Sequence, residues 1–233
     1  MFSVGKPISI FPVLILAERG QFDLDTPVVR YWPTFGQADK DRITVCHIIS
    51  HQADNPGAFV AHKGDAYQWK QMIRAIERQE PLWKPGSREY YHTATLGYLT
   101  GLLVRRVTGR SIGQFLPEEV CLPRGIDYHF GLSAANQRRC AEVYEAPDGP
   151  FMDVIGDPQT LLGKCWIPLP LTDYEEYFYS TLYGATEMPS FNGHGTARDV
   201  ACLFGMLARG GEIDGVRLIS QSLRDDAITE GWD

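Results

Sequence analysis

The longest apolar stretch of the chain runs from Ile8 to Ala17, and only Ser9 and Pro12 interrupt its hydrophobic side chains. Hydrophobic residues that leave almost no polar face are typical of a helix buried on all sides. Gly20 follows this stretch and is expected to end the helix, because glycine adopts the left-handed conformation of a helix terminus without steric cost. Pro12 lies inside the pattern and predicts a kink, because proline removes a helical hydrogen bond.

Apolar stripes and capping signals predict five more helices. Thr44 is a good N-cap, and Ser111 with Gln114 forms a capping box. A closing Ile-Asp-Gly-Val segment predicts a tight hairpin. The predicted helices run from Val45 to about Ser50, from Asp65 to about Gln79, up to Thr108 before Gly109, from Ser111 to near Pro123 and from Thr196 to Gly210, and the hairpin comprises Ile213, Asp214, Gly215 and Val216.

Between about residues 145 and 190 the pattern changes, and proline and aromatic residues replace the apolar stripes. So many aromatic side chains require burial or a partner, so we expect part of this stretch to be an ordered excursion over the surface. The chain shows no internal repeat and no low-complexity linker, and we interpret residues 1–233 as a single partial domain. The prolines are 147, 150, 158, 168, 170 and 189, and the aromatic residues include Trp166, Tyr174, Tyr177, Phe178, Tyr179 and Tyr183.

Composition argues against several classes of protein. The 233 residues carry a formal charge of −7, and their basic residues are scattered, so the chain lacks the electrostatic footprint of a nucleic-acid-binding protein. No apolar run reaches the roughly 18 residues of a membrane span, and the stretch from Ile8 to Ala17 lacks the basic leader and cleavage site of a signal peptide. Five cysteines, an odd number without Cys-x-x-Cys spacing, are interpreted as reduced core residues.

Candidate chemistry lies at the start of the apolar helix, where Ser3 and Lys6 form a Ser-x-x-Lys motif. Residues three apart lie on the same helix face, one turn apart. Because burial disfavours an ammonium, the neutral amine of a buried lysine can accept the proton of a neighbouring serine hydroxyl. The helix N-terminus would add partial positive charge where an oxyanion forms. Taken alone, the motif favours a simpler interpretation, in which Ser3 caps a core helix and Lys6 is a surface residue of its first turn.

Two other motifs suggest competing chemistry. His47 and His51 are four residues apart on a predicted helix, but no glutamate follows His47 as in the zinc motif His-Glu-x-x-His, and we predict no metal site. Gly109, Ser111 and Gly113 match Gly-x-Ser-x-Gly, the nucleophile elbow of α/β-hydrolases. That elbow requires a preceding strand, whereas a helix is predicted here, so we assign Ser111 as an N-cap.

Five blocks of sequence carry a resemblance to a known family. The Ser-x-x-Lys block continues into residues 16–28, and a second block runs from Ile43 to His51. The segment from Pro85 to Tyr91 is followed by a helical block at residues 103–111, and the last block runs from Gly193 to Asp199. In this order, the blocks resemble the class C branch of the serine β-lactamase-like family, which includes related carboxylesterases and D-amino acid peptidases. The last block resembles the esterase-like branch.

The resemblance implies an α+β fold of the β-lactamase/transpeptidase type, an antiparallel sheet flanked by helices with a helical region beside it. It implies that Ser3 is the acyl-accepting nucleophile, that Lys6 is its hydrogen-bonded partner, and that Tyr91 is the base, held near the serine by Lys6. A phenolate beside an ammonium is stabilised and can pass a proton to a leaving group. The resemblance implies no cofactor and no metal, and the expected partner is a small-molecule substrate.

The chain departs from the family pattern at several positions. Thr93 stands where the motif Tyr-x-Asn would place a substrate-binding amide, which favours esters over β-lactams. Asp54 replaces a common glycine, and Pro7 and Pro12 fall in the helix behind the nucleophile. The third family motif, Lys/His-x-Gly on a strand, and the strands before the serine are not found. We therefore expect an incomplete middle portion of a longer protein that holds mainly the helical region.

The resulting hypothesis is a serine hydrolase that acts through an acyl-enzyme on ester or amide bonds of a small molecule. A β-lactamase or D-Ala-D-Ala-type peptidase is the alternative with the same chemistry. A non-catalytic remnant or binding module of the same fold is the alternative from another class. Because flanking sheet strands are missing, we expect one side of Ile8, Phe11 and Ile15 to face water.

Overall fold

The computed structural model describes residues 1–54, 56–143, 155, 157–169 and 180–229. Much of the proline- and aromatic-rich stretch from 145 to 190 therefore lies outside the described residues. Helices dominate the remainder. They are α1 (Gly5–Glu18), α2 (Val45–Ile49), α3 (Trp69–Arg78), α4 (Thr95–Thr108), α5 (Ile112–Leu116), α6 (Ala134–Gln137), α7 (Leu161–Trp166), α8 (Thr181–Ala185), α9 (Ala197–Ala208) and α10 (Gln221–Ile228).

Two short antiparallel ribbons supply the strands of the described residues. Strand β1 (His129–Phe130) pairs with β2 (Gly193–His194), and β3 (Glu212–Ile213) pairs with β4 (Val216–Arg217). The second ribbon confirms the predicted hairpin. Its two turn residues have φ of 50° at Asp214 and 76° at Gly215, the left-handed pair that a two-residue hairpin turn requires.

Helix α1 lies at the centre of the hydrophobic core. Helices α4 and α5 pack against it, and Phe11 meets Phe204 of α9 edge-to-face, with ring centroids 5.9 Å apart. Ile8, Phe11 and Ile15 are all buried, so the expectation that one side of them faces water is wrong. The neighbouring helices supply this cover in place of a sheet, and each buried side chain contributes roughly 1.5–3 kcal/mol.

The C-terminal end of α1 matches its prediction closely. Gly20 has φ of 69°, its N–H donates to the carbonyl of Ala17 at 2.9 Å, and the N–H of Gln21 donates to the carbonyl of Leu16 at 2.9 Å. These two bonds form a Schellman motif, which satisfies carbonyls that the helix end would leave unpaired. Pro12 lies within α1, which continues on both sides of it.

The start of α3 differs from the prediction. Asp65 begins a separate 3₁₀ turn (Asp65–Tyr67), where its carboxylate accepts the His62 N–H at 2.7 Å, and α3 itself begins at Trp69. The sequence pattern does not distinguish the start of a 3₁₀ turn at Asp65 from the start of an α-helix. The remaining short turns are 3₁₀ segments Val28–Arg30, Pro33–Gly36 and Leu122–Arg124 and a π-type turn Pro117–Cys121.

The capping signals of two other helices are confirmed. The Thr44 hydroxyl accepts the His47 N–H at the start of α2, and the Thr196 hydroxyl accepts the Asp199 N–H at the start of α9. Helix α4 ends before Gly109, which has φ of 73°.

All five cysteines are free thiols, but their burial differs. Cys121 and Cys165 are buried, whereas Cys140 is exposed, so the interpretation of all five as core residues is wrong for Cys140. It lies three residues after the short helix α6 ends, on a polar surface segment. Among the described residues, no helix combines the length and apolar character needed to cross a membrane.

Candidate active site

Ser3 and Lys6 meet at the entrance to α1. Ser3 lies in the exposed turn before the helix, and Lys6 lies in its first turn with only 3% of its surface exposed. The Lys6 Nζ donates to Ser3 Oγ at 3.1 Å. Val4 rather than Ser3 is the N-cap, and it offers no side-chain cap. The serine hydroxyl is therefore bound to the lysine and does not serve as the helix cap.

Burial controls the charge of Lys6. It lowers the pKa of the ammonium from an ordinary value of 10.5 to about 7, because desolvation penalises the charged form. At neutral pH a substantial share of the molecules therefore carries a neutral amine beside Ser3 Oγ. A neutral amine has a lone pair that can accept a hydroxyl proton, which a permanently charged ammonium cannot do.

A second contact of Lys6 fixes its position. Its Nζ also donates to the backbone carbonyl of Ser190 at 3.0 Å. The buried Ser190 hydroxyl donates to the carbonyl of Ala94 and accepts the N–H of Gly97, both at 2.7 Å. Ser190 therefore ties the lysine on α1 to the start of α4, which begins at Thr95, four residues after Tyr91.

Tyr91 lies next to the lysine, with 45% of its surface exposed. The Lys6 Nζ is 4.6 Å from the centroid of the Tyr91 ring, over its face. This is the geometry of a cation–π contact. The structure therefore brings Ser3, Lys6 and Tyr91 together. The contact between the lysine and the tyrosine is made by the lysine Nζ against the face of the aromatic ring.

Two histidines complete the cluster. The half-buried His51 ring lies 5.2 Å from the Tyr91 ring at 31°, and its Nδ1 lies 3.2 Å from Nδ1 of the buried His92. Burial, and then the charge of Lys6, lowers the pKa of His51 to about 4. Burial and the neighbouring His51 lower the pKa of His92 to about 3. Both rings are therefore neutral at physiological pH.

Sequence reasoning missed Ser190, His51 and His92 as members of the site. His51 ends one of the matched blocks, and His92 directly follows Tyr91, so proximity to matched residues was the available signal. Ser190 had no such signal, because it lies 184 residues from Lys6 in the chain.

Thr93 is placed near the cluster but is enclosed. Only 2% of its surface is exposed, and its hydroxyl is buried without a hydrogen-bond partner in the described structure. Ser111 lies elsewhere, between α4 and α5. Its hydroxyl donates to the Glu187 carboxylate at 2.6 Å, and helix α4 precedes it where a nucleophile elbow requires a strand.

His47 serves the local structure of α2. Its Nδ1 accepts the N–H of Thr44 at 3.2 Å, which completes the cap of that helix. Within the described ranges, no three His, Cys, Asp or Glu side chains are grouped so that they could hold a metal ion.

Asp54 is the most unusual residue near the cluster. It is fully buried, has φ of 54°, and neither carboxylate oxygen has a hydrogen-bond partner in the described structure. Burial raises the pKa of this carboxyl to about 7. The left-handed backbone explains why glycine is common here in the resembling family, because glycine adopts it without steric cost.

The helix-rich α+β fold, with a Ser-x-x-Lys at the start of a buried helix and a tyrosine beside the lysine, is that of the serine β-lactamase-like proteins. The sequence profile of the family described as Beta-lactamase matches residues 1–230, so the chain belongs to this family. The resemblance and the fold class stated from the sequence are thereby confirmed.

The proteins that are similar to this chain include both esterases and a penicillin-binding protein homologue. The chain is 31% identical over 230 residues to the protein "Esterase/beta-lactamase LipL" of Mycobacterium tuberculosis, covering 96% of this chain and 53% of LipL. It superposes on the crystal structure of a family VIII carboxylesterase with a TM-score of 0.85 and 31% identity, covering 100% of this chain and 61% of that one.

A penicillin-binding protein homologue from Caulobacter crescentus gives a TM-score of 0.79 and 29% identity, covering 99% of this chain and 60% of that one. The chain thus spans about half the length of LipL and about three fifths of these two structures.

Proposed function

We propose that this protein is a serine hydrolase that cleaves carboxylic esters of small molecules through an acyl-enzyme intermediate. The observation that carries the proposal is the bond of 3.1 Å between Ser3 Oγ and the buried Lys6 Nζ, whose pKa is lowered to about 7. A serine hydroxyl is a weak nucleophile until a neighbouring base removes its proton. Lys6 is the group placed to do so.

In the acylation step, Ser3 Oγ attacks the ester carbonyl carbon, and the Lys6–Tyr91 pair takes up the hydroxyl proton. The carbonyl oxygen becomes an oxyanion close to the N-terminus of α1, where the partial positive charge of the helix stabilises it. When the tetrahedral intermediate collapses, the ester C–O bond breaks. Tyr91, the half-exposed member of the pair, returns the proton to the leaving alcohol.

Deacylation repeats the same transfer with water as the nucleophile. The Lys6–Tyr91 pair removes a proton from water as its oxygen attacks the acyl carbon, and the proton returns to Ser3 Oγ as the acyl–enzyme bond breaks. The products are a carboxylic acid, an alcohol and the regenerated enzyme.

The preference for esters follows from Thr93. In the resembling family this position carries an amide, and here a buried threonine stands in its place. The Thr93 hydroxyl is shorter than the amide side chain of the family and is enclosed, so it is poorly placed to hydrogen-bond a substrate amide and to select for it. LipL bears both names, esterase and beta-lactamase, and another relative, 25% identical over 189 residues, is "Esterase EstB" of Burkholderia gladioli. A β-lactamase is therefore the second candidate function.

The test is a comparison of kcat/KM for a short-chain nitrophenyl ester and a chromogenic cephalosporin, with the full-length protein and its Ser3→Ala variant. We expect the ester to be the better substrate and its turnover to require Ser3. A higher value for the cephalosporin would support the β-lactamase alternative. Absence of Ser3-dependent turnover of both substrates would favour the non-catalytic alternative.

A further inference from the structure

His51 contacts Tyr91 and both backbone N–H groups of the neighbouring residues. The His51 carbonyl accepts the N–H of Tyr90 at 3.1 Å, and the His51 ring Nδ1 accepts the N–H of His92 at 3.0 Å. The His51 and Tyr91 rings lie 5.2 Å apart in a tilted stack. One residue therefore binds the segment on both sides of Tyr91 and also packs against its side chain.

The backbone of His51 is held in an uncommon conformation to make these contacts. Its φ of 63° lies in the left-handed region, and it directly follows Ser50, the C-cap of α2. Residues other than glycine adopt this region at a cost, and such a conformation persists only where the surroundings enforce it. Here it directs the carbonyl and the ring toward the same segment.

The hydrogen bonds also determine the tautomer of His51. A backbone N–H is always a donor, so Nδ1 of His51, which receives the His92 N–H, must be unprotonated. The proton of the neutral ring is then on Nε2. A doubly protonated ring would place an N–H against an N–H at 3.0 Å, so this geometry excludes the imidazolium form.

The charged and titratable groups that face His51 are consistent with a neutral ring. His92 Nδ1 lies 2.9 Å from the Tyr90 carbonyl, which can only accept, so His92 carries its proton on Nδ1. Lys6 lies near both rings, and its positive charge lowers the pKa of each. A charged His51 would in turn oppose the charge of Lys6.

We propose that His51, fixed as the neutral Nε2–H tautomer by the His92 backbone amide, is a positioning residue that holds the Tyr91 ring beside Lys6. The inference rests on the proposed function, because it assigns His51 a role that acts through the proton-transferring tyrosine. It adds a residue to the site without adding a chemical step.

The tautomer is tested without any activity measurement. A long-range ¹H–¹⁵N spectrum of the full-length protein labelled with ¹⁵N-histidine, with His51 assigned by its loss in His51→Asn, reports which ring nitrogen is protonated. We expect a proton on Nε2, a bare Nδ1, and no titration of His51 between about pH 5 and 8. A proton on Nδ1, or titration near the ordinary value of about 6.5, would overturn the inference.

The positioning role is tested by two complementary variants. His51→Asn keeps an acceptor for the His92 N–H and removes the ring, whereas His51→Phe keeps a ring and removes the acceptor. We expect each to lower kcat per titrated active site on the order of 10–10²-fold with KM little changed. His47→Asn is the matched control, because His47 also accepts a backbone N–H but lies in the cap of α2.

Counting active sites with a fluorophosphonate separates positioning from folding. A purely structural role would reduce the number of titrated sites but leave kcat per site unchanged, and that result would refute the proposal. In a Tyr91→Phe background, His51→Asn should have little further effect, because it acts through Tyr91. If the His51 variants match the unsubstituted protein while Ser3→Ala is inactive, the inference fails and the proposed function stands.

Discussion

Ser3 and Ser111 each lie in a short motif typical of a nucleophile, yet their surroundings are opposite. Ser3 is exposed, and its hydroxyl oxygen accepts a bond from a buried lysine whose pKa is lowered to about 7. Ser111 is buried, and its hydroxyl donates its proton to the Glu187 carboxylate at 2.6 Å. The first serine faces a group that can remove its proton, and the second has already committed its proton to a structural bond.

The comparison shows that a short sequence motif does not by itself make a serine a nucleophile. The side chain that is hydrogen-bonded to the serine hydroxyl, and the burial of that side chain, matter more. Glu187 also accepts the Gly113 N–H at 3.3 Å, so two residues of the Gly-x-Ser-x-Gly segment donate hydrogen bonds to the same carboxylate. That carboxylate lies three residues before Ser190, the carbonyl partner of Lys6. The two regions therefore differ in chemistry but belong to one connected structure.

The largest expected effect is on kcat, when the Ser3 hydroxyl is removed and the result is compared with removal of the Ser111 hydroxyl. Ser3→Ala should lower kcat on the order of 10⁶-fold, because no nucleophile remains. Ser111→Ala should leave kcat nearly unchanged. A fluorophosphonate probe followed by peptide mapping should label Ser3 alone, and labelling at Ser111 would reverse the assignment of the two serines.

The second effect concerns Lys6, the proposed base beside Ser3. Lys6→Arg keeps the positive charge but removes the amine that loses its proton near pH 7, so kcat/KM for the ester should fall about 10²–10⁴-fold. In the unsubstituted protein, kcat/KM should rise as the pH increases through about 7, because the neutral amine is the active form. A profile that is flat from pH 5 to 9 would contradict this role of Lys6.

A smaller effect is expected on stability at the other serine. Ser111→Ala removes the closest partner of the half-buried Glu187, and the loss of one such hydrogen bond costs about 0.5–1.5 kcal/mol of unfolding free energy. Urea denaturation measures the loss. The exposed Ser222 in α10 provides the control, because Ser222→Ala should change stability by less than about 0.5 kcal/mol. Equal effects of the two substitutions would show that the Ser111–Glu187 bond is energetically unimportant.

Asp54 is the counterpart of Glu187, a carboxylate without the partner that Ser111 supplies. The folded chain holds the Asp54 proton up to about pH 7, whereas the unfolded chain releases it near 3.8, so stability falls as the pH rises between these values. Asp54→Asn should therefore stabilise the protein by about 1–3 kcal/mol at pH 8 and by less at pH 4.

Thermal or urea unfolding at both pH values measures the effect of Asp54→Asn. Asp41→Asn, at an exposed position, serves as the control substitution. A stabilisation that is the same at pH 4 and pH 8 would contradict a raised pKa of the buried Asp54 carboxyl.

Local features of the fold were predictable because their causes are local. The Schellman end at Gly20, the cap at Thr44 and the Asp-Gly hairpin each depend on residues a few positions apart. The cover over Phe11 was mispredicted, because the contact with Phe204 joins residues far apart in the chain. Periodicity shows that a helix face is apolar, but it does not identify the element that covers it.

The candidate site shows the same limit. Ser3 and Lys6 are three residues apart, so the turn that leads into α1 is enough to bring them together, and Tyr91 came from the resemblance. His51 lies at the end of a matched block and Ser190 lies in none, but the contacts of both residues join segments far apart in the chain, and no sequence pattern predicts those contacts. The strained backbone at His51 is likewise visible only in three dimensions.

The bond from Lys6 to the Ser190 carbonyl has a consequence for the order of events during synthesis. The two residues are 184 positions apart, and a ribosome adds roughly 5–20 residues per second, so roughly ten to forty seconds separate their appearance. Throughout that interval the lysine lacks this acceptor, and the apolar helix behind it lacks Phe204. The Lys6 side chain therefore gains this bond only after Ser190 has been synthesised, and α1 gains its contact with Phe204 later still.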